Sequence, residues 1–497
     1  MLTIGEALRS ASQRHRNKTA LVFGAETLTY GELDRRVNQF ANALAAWGVA
    51  PGDRVALVLP NGLWMAVAYF GAARAGAVAV PVNLRWAAPE VQFVLADAQV
   101  RLVLADEDFR GLLPSAPHIR VGREWQDAVL AASADDPRVV VHEADPWVIV
   151  YTSGTTGRPK GAVRDHRSNL MIALVLLAEL SITTDDVGMA LLPMFHVNSM
   201  WFVTLSLIIG TTCVIYPHRT FHPGHIVEAF NTHQVTYSMF VPSMLAMLAD
   251  AAERGALEPS HLRVALTSSA PLDLALRDRL LRVFPHARLY DIYGATEYGG
   301  VTLMQHAPDE AVGSVGWPVV GASVRILSEQ GQPVAPGQVG EVYVQAPSLM
   351  QEYWQNPEAT RAALDADGYL TLGDMGYQDE AGRLWLVDRK QDMMIVAGEN
   401  VYPREVEDVL LENPDVLMAA AVGLPDPKRG QVVVAAVVPH AGRTPDVDAL
   451  RDACRAKLAD YKRPREIRIV AELPTGPTGK VVRRLVREGW DQTDQGR

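Results

Sequence analysis

Strand-like runs alternate with helical stretches along much of the chain, and this alternation limits the fold more than any other feature. Apolar runs such as "RVALVLP", "GAVAVPV" and "VRLVLAD" are separated by stretches with helical periodicity, such as "LDRRVNQFANALAAWG" and "LWMAVAYFGAARAG". Such a rhythm is typical of βαβ units. It predicts mostly parallel sheets, with loops at the strand ends that are available for a binding site.

Length and composition narrow the class of protein. A chain of 497 residues is too long for one hydrophobic core and predicts at least two domains. Its 48% hydrophobic and 21% charged residues are ordinary for a globular protein, and its net charge of −11 argues against a general nucleic-acid binder. The two cysteines, Cys213 and Cys454, share no metal-ligand spacing, which predicts a reducing compartment and no structural zinc.

Two features of the sequence argue against insertion into a membrane. The first twenty residues mix charges into a helical pattern and lack the apolar core of a secretory signal, so a cytoplasmic location is expected. The most apolar stretch, from Met200 to Tyr216, is short for a span and contains Gly210 and four hydroxyl residues. It is predicted to be a buried helix followed by a strand, and no transmembrane segment is expected.

The alternating rhythm changes toward the C-terminus. Beyond about Ser314, strands are broken by Gly and Pro turns, which predicts a small antiparallel or barrel-like subdomain. Charges then cluster between two apolar strands from Asp388 to Asp392, and an αβ pattern follows. The expected fold class is α/β, with a large N-terminal domain of βαβ-type sheets (1–388) that includes this subdomain. An α+β C-terminal domain (389–497) follows.

The stretch "YTSGTTGRPKG", from Tyr151 to Gly161, predicts an anion-binding loop. It follows the strand-like run "WVIVY" and precedes the helical stretch Arg167–Leu180, for which Ser168 or Asn169 is the expected cap, so it is predicted to join a strand to a helix. Glycines let the backbone approach an anion closely, and hydroxyls add donors, which makes phosphate the leading ligand. It is not the Walker pattern. The competing interpretation is a solvent-exposed polar loop.

Further motifs follow this loop in a characteristic order. They are "LLPMFHVNSM", "LYDIYGATE", "YLTLGDMG", "VDRKQDMMIVAGENVYPREVE" and "PTGPTGKVVRR". Together with "LTYGELDRRVNQFANAL" near the N-terminus, this order resembles the adenylate-forming superfamily of acyl-CoA synthetases, luciferases and peptide-synthetase adenylation domains. The resemblance spans nearly the whole chain and is strongest to a fatty or organic acid–CoA ligase. It implies that a carboxylate reacts with ATP to form an acyl-adenylate and pyrophosphate, and that the acyl group then passes to coenzyme A.

The resemblance assigns roles at the phosphate end of ATP. The residues expected to hold the β- and γ-phosphates are Thr152, Ser153, Gly154, Thr155, Thr156, Gly157 and Lys160. Glu297 is the expected Mg²⁺ ligand, since a carboxylate suits this hard cation, and the Thr296 hydroxyl is expected to reach the α-phosphate. Tyr293 is expected to face the adenine, with Asp291 accepting from its amino group. The alternatives are a surface carboxylate for Glu297 and a core tyrosine for Tyr293.

The resemblance also assigns groups to the ribose and to each half-reaction. Asp374 and Arg389 are expected at the ribose, although Asp374 also suits an Asx-turn. Lys480 resembles the lysine that bridges the substrate carboxylate and the α-phosphate. His196 resembles the gate beside the carboxylate pocket, but a satisfied core histidine is the alternative. The C-terminal domain is expected to rotate about residues 388–392 and bring Gly398 past the coenzyme A thiol; a β-bulge glycine is the competing explanation.

The acid-binding pocket is predicted from three segments, His196 to Trp201, Phe240 to Leu245 and Ser268 to Leu272. Their apolar members, which are Val197, Met200, Trp201, Val241 and Met244, together with Met239, favour an organic acid. Two departures from the family pattern are Ser268–Ser269, where a glycine pair is usual, and Gln391 at the hinge. Neither removes a catalytic group.

Several functions remain open from the sequence. The favoured one is an ATP-dependent acid–CoA ligase with a small carboxylic acid, ATP and coenzyme A as its partners. The alternatives are an amide-forming synthetase that passes the acyl group to an amine, a non-catalytic acyl or nucleotide sensor, and an oxygen-using luciferase. The identity of the acid is left open, and so is the oligomeric state, of which a homodimer is one candidate.

Overall fold

The structure used here is a computed structural model of the chain. It describes residues 3–114, 118–152, 159–255, 261–268, 272, 274–307, 313–390, 392–396, 399–426, 428–475 and 481–494. The chain separates into two compact units, one of Met1–Ser323 with Val344–Leu370 and the other of Val324–Tyr343 with Thr371–Arg497. The division into 1–388 and 389–497 with a hinge near Asp388 stays a prediction.

The strands and helices are numbered in chain order. The strands are β1 Thr19–Phe23, β2 Glu26–Thr29, β3 Arg54–Val58, β4 Val78–Pro81, β5 Leu102–Ala105, β6 Ile119–Val121, β7 Pro146–Thr152, β8 Lys160–Asp165, β9 Val187–Ala190, β10 Thr212–Ile215, β11 Tyr237–Phe240, β12 Val264–Thr267, β13 Arg288–Ala295, β14 Gly299–Gln305, β15 Ser314–Pro318, β16 Ser323–Leu327, β17 Gly340–Gln345, β18 Glu352–Tyr353, β19 Asp374–Gln378, β20 Leu384–Arg389, β21 Met394–Val396, β22 Glu399–Val401, β23 Val416–Asp426, β24 Gly430–Pro439 and β25 Glu466–Ile469. The α-helices are α1 Ile4–Arg14, α2 Tyr30–Ala46, α3 Leu63–Ala75, α4 Ala88–Asp97, α5 Arg123–Ala131, α6 His166–Leu180, α7 Val197–Ile209, α8 Pro223–His233, α9 Pro242–Glu253, α10 Leu274–Val283, α11 Pro357–Ala363, α12 Pro403–Leu411, α13 Val447–Lys457 and α14 Arg483–Asp494; short 3-10 helices lie at Glu107–Leu112 and Asp460–Lys462.

Two sheets form the frame of the first unit. One has the strand order β15-β14-β13-β12-β11-β9-β10-β1-β2, and the other has the order β18-β8-β7-β4-β3-β5-β6. The predicted βαβ rhythm is confirmed, because β3 pairs in parallel with both β4 and β5, and β12 pairs in parallel with β11 and β13. Antiparallel pairs occur near the edges, at β1–β2, β7–β8 and β13–β14–β15.

The main core of the first unit is a layer of apolar helices that contacts both sheets. Its buried residues come from α1, α2, α3, α6 and α7 and from strands of both sheets, such as Leu21 and Val148. Because α3 and α7 are surrounded by other elements, their sequences are apolar on almost every side. The stretch from Met200 to Tyr216 is the end of α7 followed by β10, as the sequence predicts.

Local signals explain where several elements begin. Helix α2 starts at a capping box in which the Thr29 hydroxyl accepts from the Glu32 amide and the Glu32 carboxylate accepts from the Thr29 amide. Helix α6 begins one residue earlier than predicted and is capped by Asp165, whose carboxylate accepts from the Ser168 amide. The expected cap at Ser168 or Asn169 is therefore wrong. The stretch from Tyr151 to Gly161 also joins β7 to the antiparallel strand β8 and not a strand to a helix.

The second unit contains a short ribbon of strands and a separate α/β layer. Strands β16, β17, β19 and β20 follow one another as neighbours, and β17–β19 and β19–β20 are antiparallel. The predicted antiparallel arrangement is confirmed, but within the described residues these strands do not close into a barrel. Strands β22-β21-β24-β23, with β25 beside β24, form the last sheet, with α12 and α13 packed on one face and α14 on the other.

No membrane-spanning helix is present in the described ranges of the chain, since each helix there is too short or too polar to cross a bilayer.

Candidate active site

The turn between β13 and β14 carries Thr296 and Glu297, and two glycines allow it to close. A Cβ at Gly294 would lie 2.1 Å from the carbonyl oxygen of Gly299. Gly299 itself has φ +82° and lies against Ser348, whose Oγ would be 2.7 Å from a Cβ at that position. Only glycine tolerates both conditions, so the "YGATEYGG" sequence is required for the turn that presents Glu297.

The Glu297 side chain is buried and is held by hydroxyl groups. Its exposed fraction is 6%, and its Oε1 accepts from the Tyr353 hydroxyl at 2.9 Å and from the Thr152 hydroxyl at 3.5 Å. The Met350 amide donates to the Glu297 carbonyl oxygen at 2.8 Å. Thr152, at the end of β7, and Glu297 are therefore brought together from positions 145 residues apart.

Strand β8 brings Lys160 to the same place. Because side chains alternate along a strand, Lys160, Ala162 and Arg164 share one face, and Tyr353 of β18 is paired opposite Ala162. The Lys160 ammonium lies 4.5 Å from the centroid of the Tyr353 ring. Lys160, Tyr353, Glu297 and Thr152 thus form one connected cluster at the ends of β7, β8 and β13.

Arg164 is the fully buried member of this strand face. Its guanidinium donates to the carbonyl oxygens of Thr296 at 2.7 Å and Ser348 at 2.6 Å, and its Nε donates to Asn169 Oδ1 at 3.3 Å. It also lies 5.1 Å from the centroid of the Trp201 ring. Burial lowers the pKa of Arg164 to about 10, partly offset by the negative charges of Asp165 and Glu297, so it remains a cation at neutral pH.

Strand β13 carries the two residues predicted at the adenine. Asp291 and Tyr293 are two positions apart and so lie on one face of the strand, paired in register with Met304 and Thr302 of β14. Asp291 is 8% exposed, and the Tyr293 ring lies 6.2 Å from the ring of Tyr298. Both residues belong to the strand that ends in the Glu297 turn.

His196 lies at the start of α7, where its backbone forms the N-cap. Its Nε2 is buried and has no hydrogen-bond partner among the described residues. Burial lowers the pKa of His196 to about 4, with the Arg85 charge as a smaller cause, so the ring is neutral at pH 7. In the next turn the Asn198 amide donates to the Ser268 hydroxyl at 3.1 Å. The gate segment and Ser268, a departure from the family pattern, are therefore in contact.

Asp374 and Arg389 belong to the second unit. Asp374 follows Gly373 and starts β19, where it pairs with Arg389 of β20, and the Arg389 Nε donates to Asp374 Oδ1 at 3.2 Å. Asp374 is 8% exposed. Asp374 is thus the first residue of a strand and does not lie within the turn that the sequence indicated.

A charged network surrounds the predicted hinge in the second unit. The Arg483 guanidinium donates to both carboxylate oxygens of Glu407, at 3.0 and 2.7 Å, and to Asp392 at 3.2 Å, and it lies 3.6 Å from Asp388. These carboxylates raise the pKa of Arg483, although burial opposes them. The network links the start of α14 to residues on both sides of position 391.

Several predicted residues lie outside the described residues. They are Ser153, Gly154, Thr155, Thr156 and Gly157 of the phosphate loop, Ser269, Gln391, Gly398 and Lys480.

A small cavity, with room for about one water molecule, lies between α6, β13 and β14. It is lined by Ile172 and Leu176 of α6, Ile292 and Gly300 of β13 and β14, Val319 and Ser348. None of the residues predicted for the acid pocket lines it. Those predicted residues, including Met200 and Trp201, are nonetheless buried in the layer to which Ile172 and Leu176 belong. The predicted pocket stays a prediction.

Sequence reasoning missed Arg164, Ser348, Met350 and Tyr353. Arg164 follows the phosphate loop in "KGAVRD". An arginine among apolar residues is rarely buried without polar partners, and this could have marked it as part of the site. The segment from Ser348 to Tyr353 gives little signal, because its strand is only two residues long.

The sequence matches known proteins over nearly its whole length. The family model described as AMP-binding enzyme matches residues 8–354, and the model described as AMP-binding enzyme C-terminal domain matches residues 405–480. A feruloyl-CoA synthase from Amycolatopsis sp is 36% identical over 472 residues, which cover 94% of this chain and 95% of that protein. The fatty acid–[acyl-carrier-protein] ligase ScoC from Streptomyces coeruleorubidus is 35% identical over 495 residues, covering 96% of this chain and 94% of that protein.

Solved structures also match. The crystal structure of ATP-bound MatB from Rhodopseudomonas palustris aligns with a TM-score of 0.91 and 28% sequence identity, and the alignment covers 99% of each chain.

Proposed function

Because the chain belongs to the AMP-binding enzyme family, we propose that it is an ATP-dependent acid–CoA ligase. It activates a carboxylic acid as an acyl-adenylate, releases pyrophosphate and transfers the acyl group to coenzyme A. The observation that carries this proposal is the cluster of Thr152, Lys160 and Glu297, which joins a cation, a hydroxyl and a buried carboxylate at the end of the phosphate loop. Such a set suits a nucleotide polyphosphate that carries a divalent cation.

The residues present fit Mg²⁺. Among the described residues no group of three or more His, Cys, Asp or Glu side chains is arranged to hold a metal, so the chain offers Glu297 as a single carboxylate. Mg²⁺ is usually held by one or two carboxylates together with substrate phosphates and water, which agrees with this arrangement. When bound, Mg²⁺ neutralises charge on the phosphate oxygens.

The residues of the chain then divide the work of adenylation. Lys160 and Thr152 bind the phosphates that leave, and Thr296 reaches the α-phosphate. His196, which is neutral at pH 7, adds no charge beside the incoming carboxylate and so does not trap it as an ion pair. Lys480 supplies positive charge between the carboxylate and the α-phosphate. This placement of positive and neutral groups reduces the repulsion between the carboxylate and the α-phosphate before they react.

The remaining groups orient the nucleoside. Tyr293 and Asp291 bind the adenine, and Asp374 and Arg389 bind the ribose. A carboxylate can accept from two hydroxyls, and Arg389 already holds one Asp374 oxygen, which restricts the orientation of the carboxylate.

The acid is expected among the apolar residues predicted for its pocket, of which Met200 and Trp201 are buried in the main core of the first unit. An apolar lining favours the hydrophobic part of an organic acid over an amino acid with its α-ammonium group. Since the named relatives differ in their acids, the acid is left to the experiment below.

A second acceptor deserves a test. ScoC is named as a ligase that uses an acyl-carrier protein, so the thiol of a phosphopantetheine on a protein is a candidate beside coenzyme A. An amine acceptor, which would give an amide, is the other candidate. A cytoplasmic location and a homodimer remain expectations.

The experiment is a pyrophosphate–ATP exchange assay on a panel of aliphatic and aryl acids, followed by thioester formation with coenzyme A, a carrier protein or an amine. At least one acid is expected to support exchange, and Glu297→Ala is expected to reduce it more than tenfold, since the metal loses its carboxylate. Glu26→Ala, an exposed glutamate on β2, is the matched control. No exchange with any acid contradicts the proposal, and amide in place of thioester corrects the acceptor.

A further inference from the structure

The segment from Ser348 to Tyr353 holds the Glu297 turn at four points, the first of which is a hydrogen bond of 2.7 Å from the Ser348 hydroxyl to the Tyr298 carbonyl oxygen. The Ser348 carbonyl oxygen shares Arg164 with the carbonyl oxygen of Thr296, the Met350 amide donates to the Glu297 carbonyl oxygen, and the Tyr353 hydroxyl donates to the Glu297 carboxylate. The first three contacts fix the backbone of the turn. Only the contact from Tyr353 fixes the orientation of the carboxylate itself.

The hydrogen bond from Tyr353 is the stronger of the two that the Glu297 side chain accepts. Its length is 2.9 Å, whereas the bond from Thr152 is 3.5 Å long, at the limit for a hydrogen bond. Tyr353 and Glu297 are 3% and 6% exposed, and a hydroxyl that donates to a buried carboxylate forms a charge-assisted bond.

Both bonds end on the same oxygen. Thr152 and Tyr353 donate to Oε1, and no described residue donates to Oε2. A carboxylate held through one oxygen keeps the lone pairs of the other for a cation. The hydroxyl of Tyr353 therefore both orients Glu297 and decides which oxygen is available.

The ring of Tyr353 has a separate effect on Lys160. The Lys160 ammonium lies 4.5 Å from the ring centroid, in the range of a cation–π contact, and within the described residues it forms no ion pair. The hydroxyl of the same ring is bonded to Glu297. One side chain thus contacts the ammonium through its ring and the carboxylate through its hydroxyl.

We propose that Tyr353 is a positioning residue for the metal–nucleotide complex: its hydroxyl orients the Glu297 carboxylate, and its ring keeps Lys160 from pairing with that carboxylate. This inference rests on the proposed function, because it assumes that Glu297 binds the cation and Lys160 the phosphates. It predicts that the two parts of one side chain have separable effects. Removal of the hydroxyl affects the cation, and removal of the ring also affects the phosphates.

The test measures binding by the full-length protein, independently of turnover. Isothermal titration calorimetry with the ATP analogue AMPPNP is performed with Mn²⁺ and again with EDTA, with no carboxylic acid present, so that no adenylate can form. Tyr353→Phe is expected to weaken binding of Mn²⁺–AMPPNP by about tenfold or more, the usual effect of losing a group that orients a metal ligand. Its affinity for AMPPNP in EDTA is expected to stay within about twofold of the wild type, because its ring still contacts Lys160.

Two further variants separate this role from a general loss of structure. Tyr353→Leu removes the ring and is expected to weaken binding both with Mn²⁺ and in EDTA. Tyr30→Phe is the matched control, since Tyr30 is also buried and its hydroxyl donates to the Thr211 carbonyl oxygen at 2.7 Å, in contact with no residue of the site. Tyr30→Phe is expected to leave both affinities unchanged.

A double variant supplies a second measurement. If the hydroxyl acts through the carboxylate, adding Tyr353→Phe to Glu297→Gln changes Mn²⁺–AMPPNP affinity by less than about twofold. Unchanged Mn²⁺–AMPPNP affinity in Tyr353→Phe overturns the inference, and so does an equal loss with Mn²⁺ and in EDTA. A wild-type protein that does not bind Mn²⁺–AMPPNP would instead contradict the proposed function.

Discussion

Replacement of Arg164 by methionine is expected to slow adenylate formation more than it destabilises the protein. Arg164 is fully buried and donates to the carbonyl oxygens of Thr296 and Ser348 at 2.7 and 2.6 Å. Methionine fills similar space but donates nothing, so two buried carbonyl groups lose their donor. Each such loss costs about 1–3 kcal/mol. Against this, the variant no longer buries a cation that forms no ion pair with any described residue, and that relief is worth several kcal/mol.

These opposing terms make the net change in unfolding free energy small, of the order of 2 kcal/mol. The position of Thr296 has no such compensation, because the guanidinium that joins its carbonyl oxygen to that of Ser348 is gone, although the bonds from the Ser348 hydroxyl to Tyr298 and from the Met350 amide to Glu297 remain. A displacement of about 1 Å at a reacting group can reduce the rate about a hundredfold. The expected result is therefore a ten- to hundredfold lower kcat for pyrophosphate–ATP exchange, with the KM for the acid changed less than about threefold.

The assay compares exchange kinetics and thermal unfolding of Arg164→Met, Arg164→Lys and Arg74→Met. Lysine keeps the charge but reaches one carbonyl group at a time, so it is expected to restore part of the activity. Arg74 is the control for activity, since it is 4% exposed and does not contact the turn; it is bonded to Asn38 and forms an ion pair with Asp34, both at 2.7 Å, so Arg74→Met is expected to lower stability without lowering kcat. If folded Arg164→Met keeps kcat within twofold of the wild type, the reasoning about the turn is wrong.

Three further predictions concern the acid-binding pocket, the stability of the protein at low pH and the two half-reactions. Met244 belongs to the predicted acid pocket and is partly buried, so Met244→Ala is expected to raise kcat/KM for the larger acids of the panel about tenfold relative to the smaller ones; an unchanged ratio places the acid elsewhere. Burial lowers the pKa of His166 to about 4, below the unfolded value of 6.5. The contribution of neutral His166 to the free energy of unfolding is therefore fully present above about pH 6.5 and is lost as the pH falls toward 4, by roughly 3 kcal/mol. The drop in unfolding temperature between pH 7.5 and 4.5 is expected to be smaller in His166→Gln than in the wild type. An equal drop in the two proteins argues against a role of His166 in this pH dependence. Lys480→Ala is expected to abolish most adenylate formation but still convert a supplied acyl-adenylate to thioester, and Gly398→Leu the reverse; equal losses in both steps contradict a rotating C-terminal domain.

The sequence predicts the architecture where the hydrophobic pattern is continuous. Strands β3, β4 and β5 are apolar on both faces, as expected of parallel strands covered by helices, and their pairing is confirmed. Strand β8 fails this test because "KGAVRD" contains Lys160, Arg164 and Asp165. Lys160 and Arg164 belong to the site and Asp165 caps α6, so these charged residues interrupt the apolar pattern of the strand. Without a predicted β8, the phosphate loop is taken for a connection between a strand and a helix.

The cluster itself is only half visible in the sequence. Thr152, Lys160 and Glu297 carry motifs that suggest phosphate and metal binding, and the structure brings them together. Tyr353 is 56 residues from Glu297, and Ser348 is 184 residues from Arg164. Contacts at such separations depend on how β18 is placed beside β8, and a two-residue strand has too little periodicity to predict that pairing.

The cluster keeps opposite charges close without pairing them, and this explains its choice of neutral partners. Arg164 forms no direct ion pair with a described carboxylate and donates to carbonyl and amide oxygens. Lys160 lies over an aromatic ring, and Glu297 accepts from hydroxyls. Direct pairs between these cations and Glu297 would be stronger in isolation, but a substrate phosphate or metal would then have to break them before it could bind. Neutral partners satisfy the hydrogen-bonding groups and leave the charges available. A site built this way suits an anionic, metal-bound substrate, even in a protein whose net charge is −11.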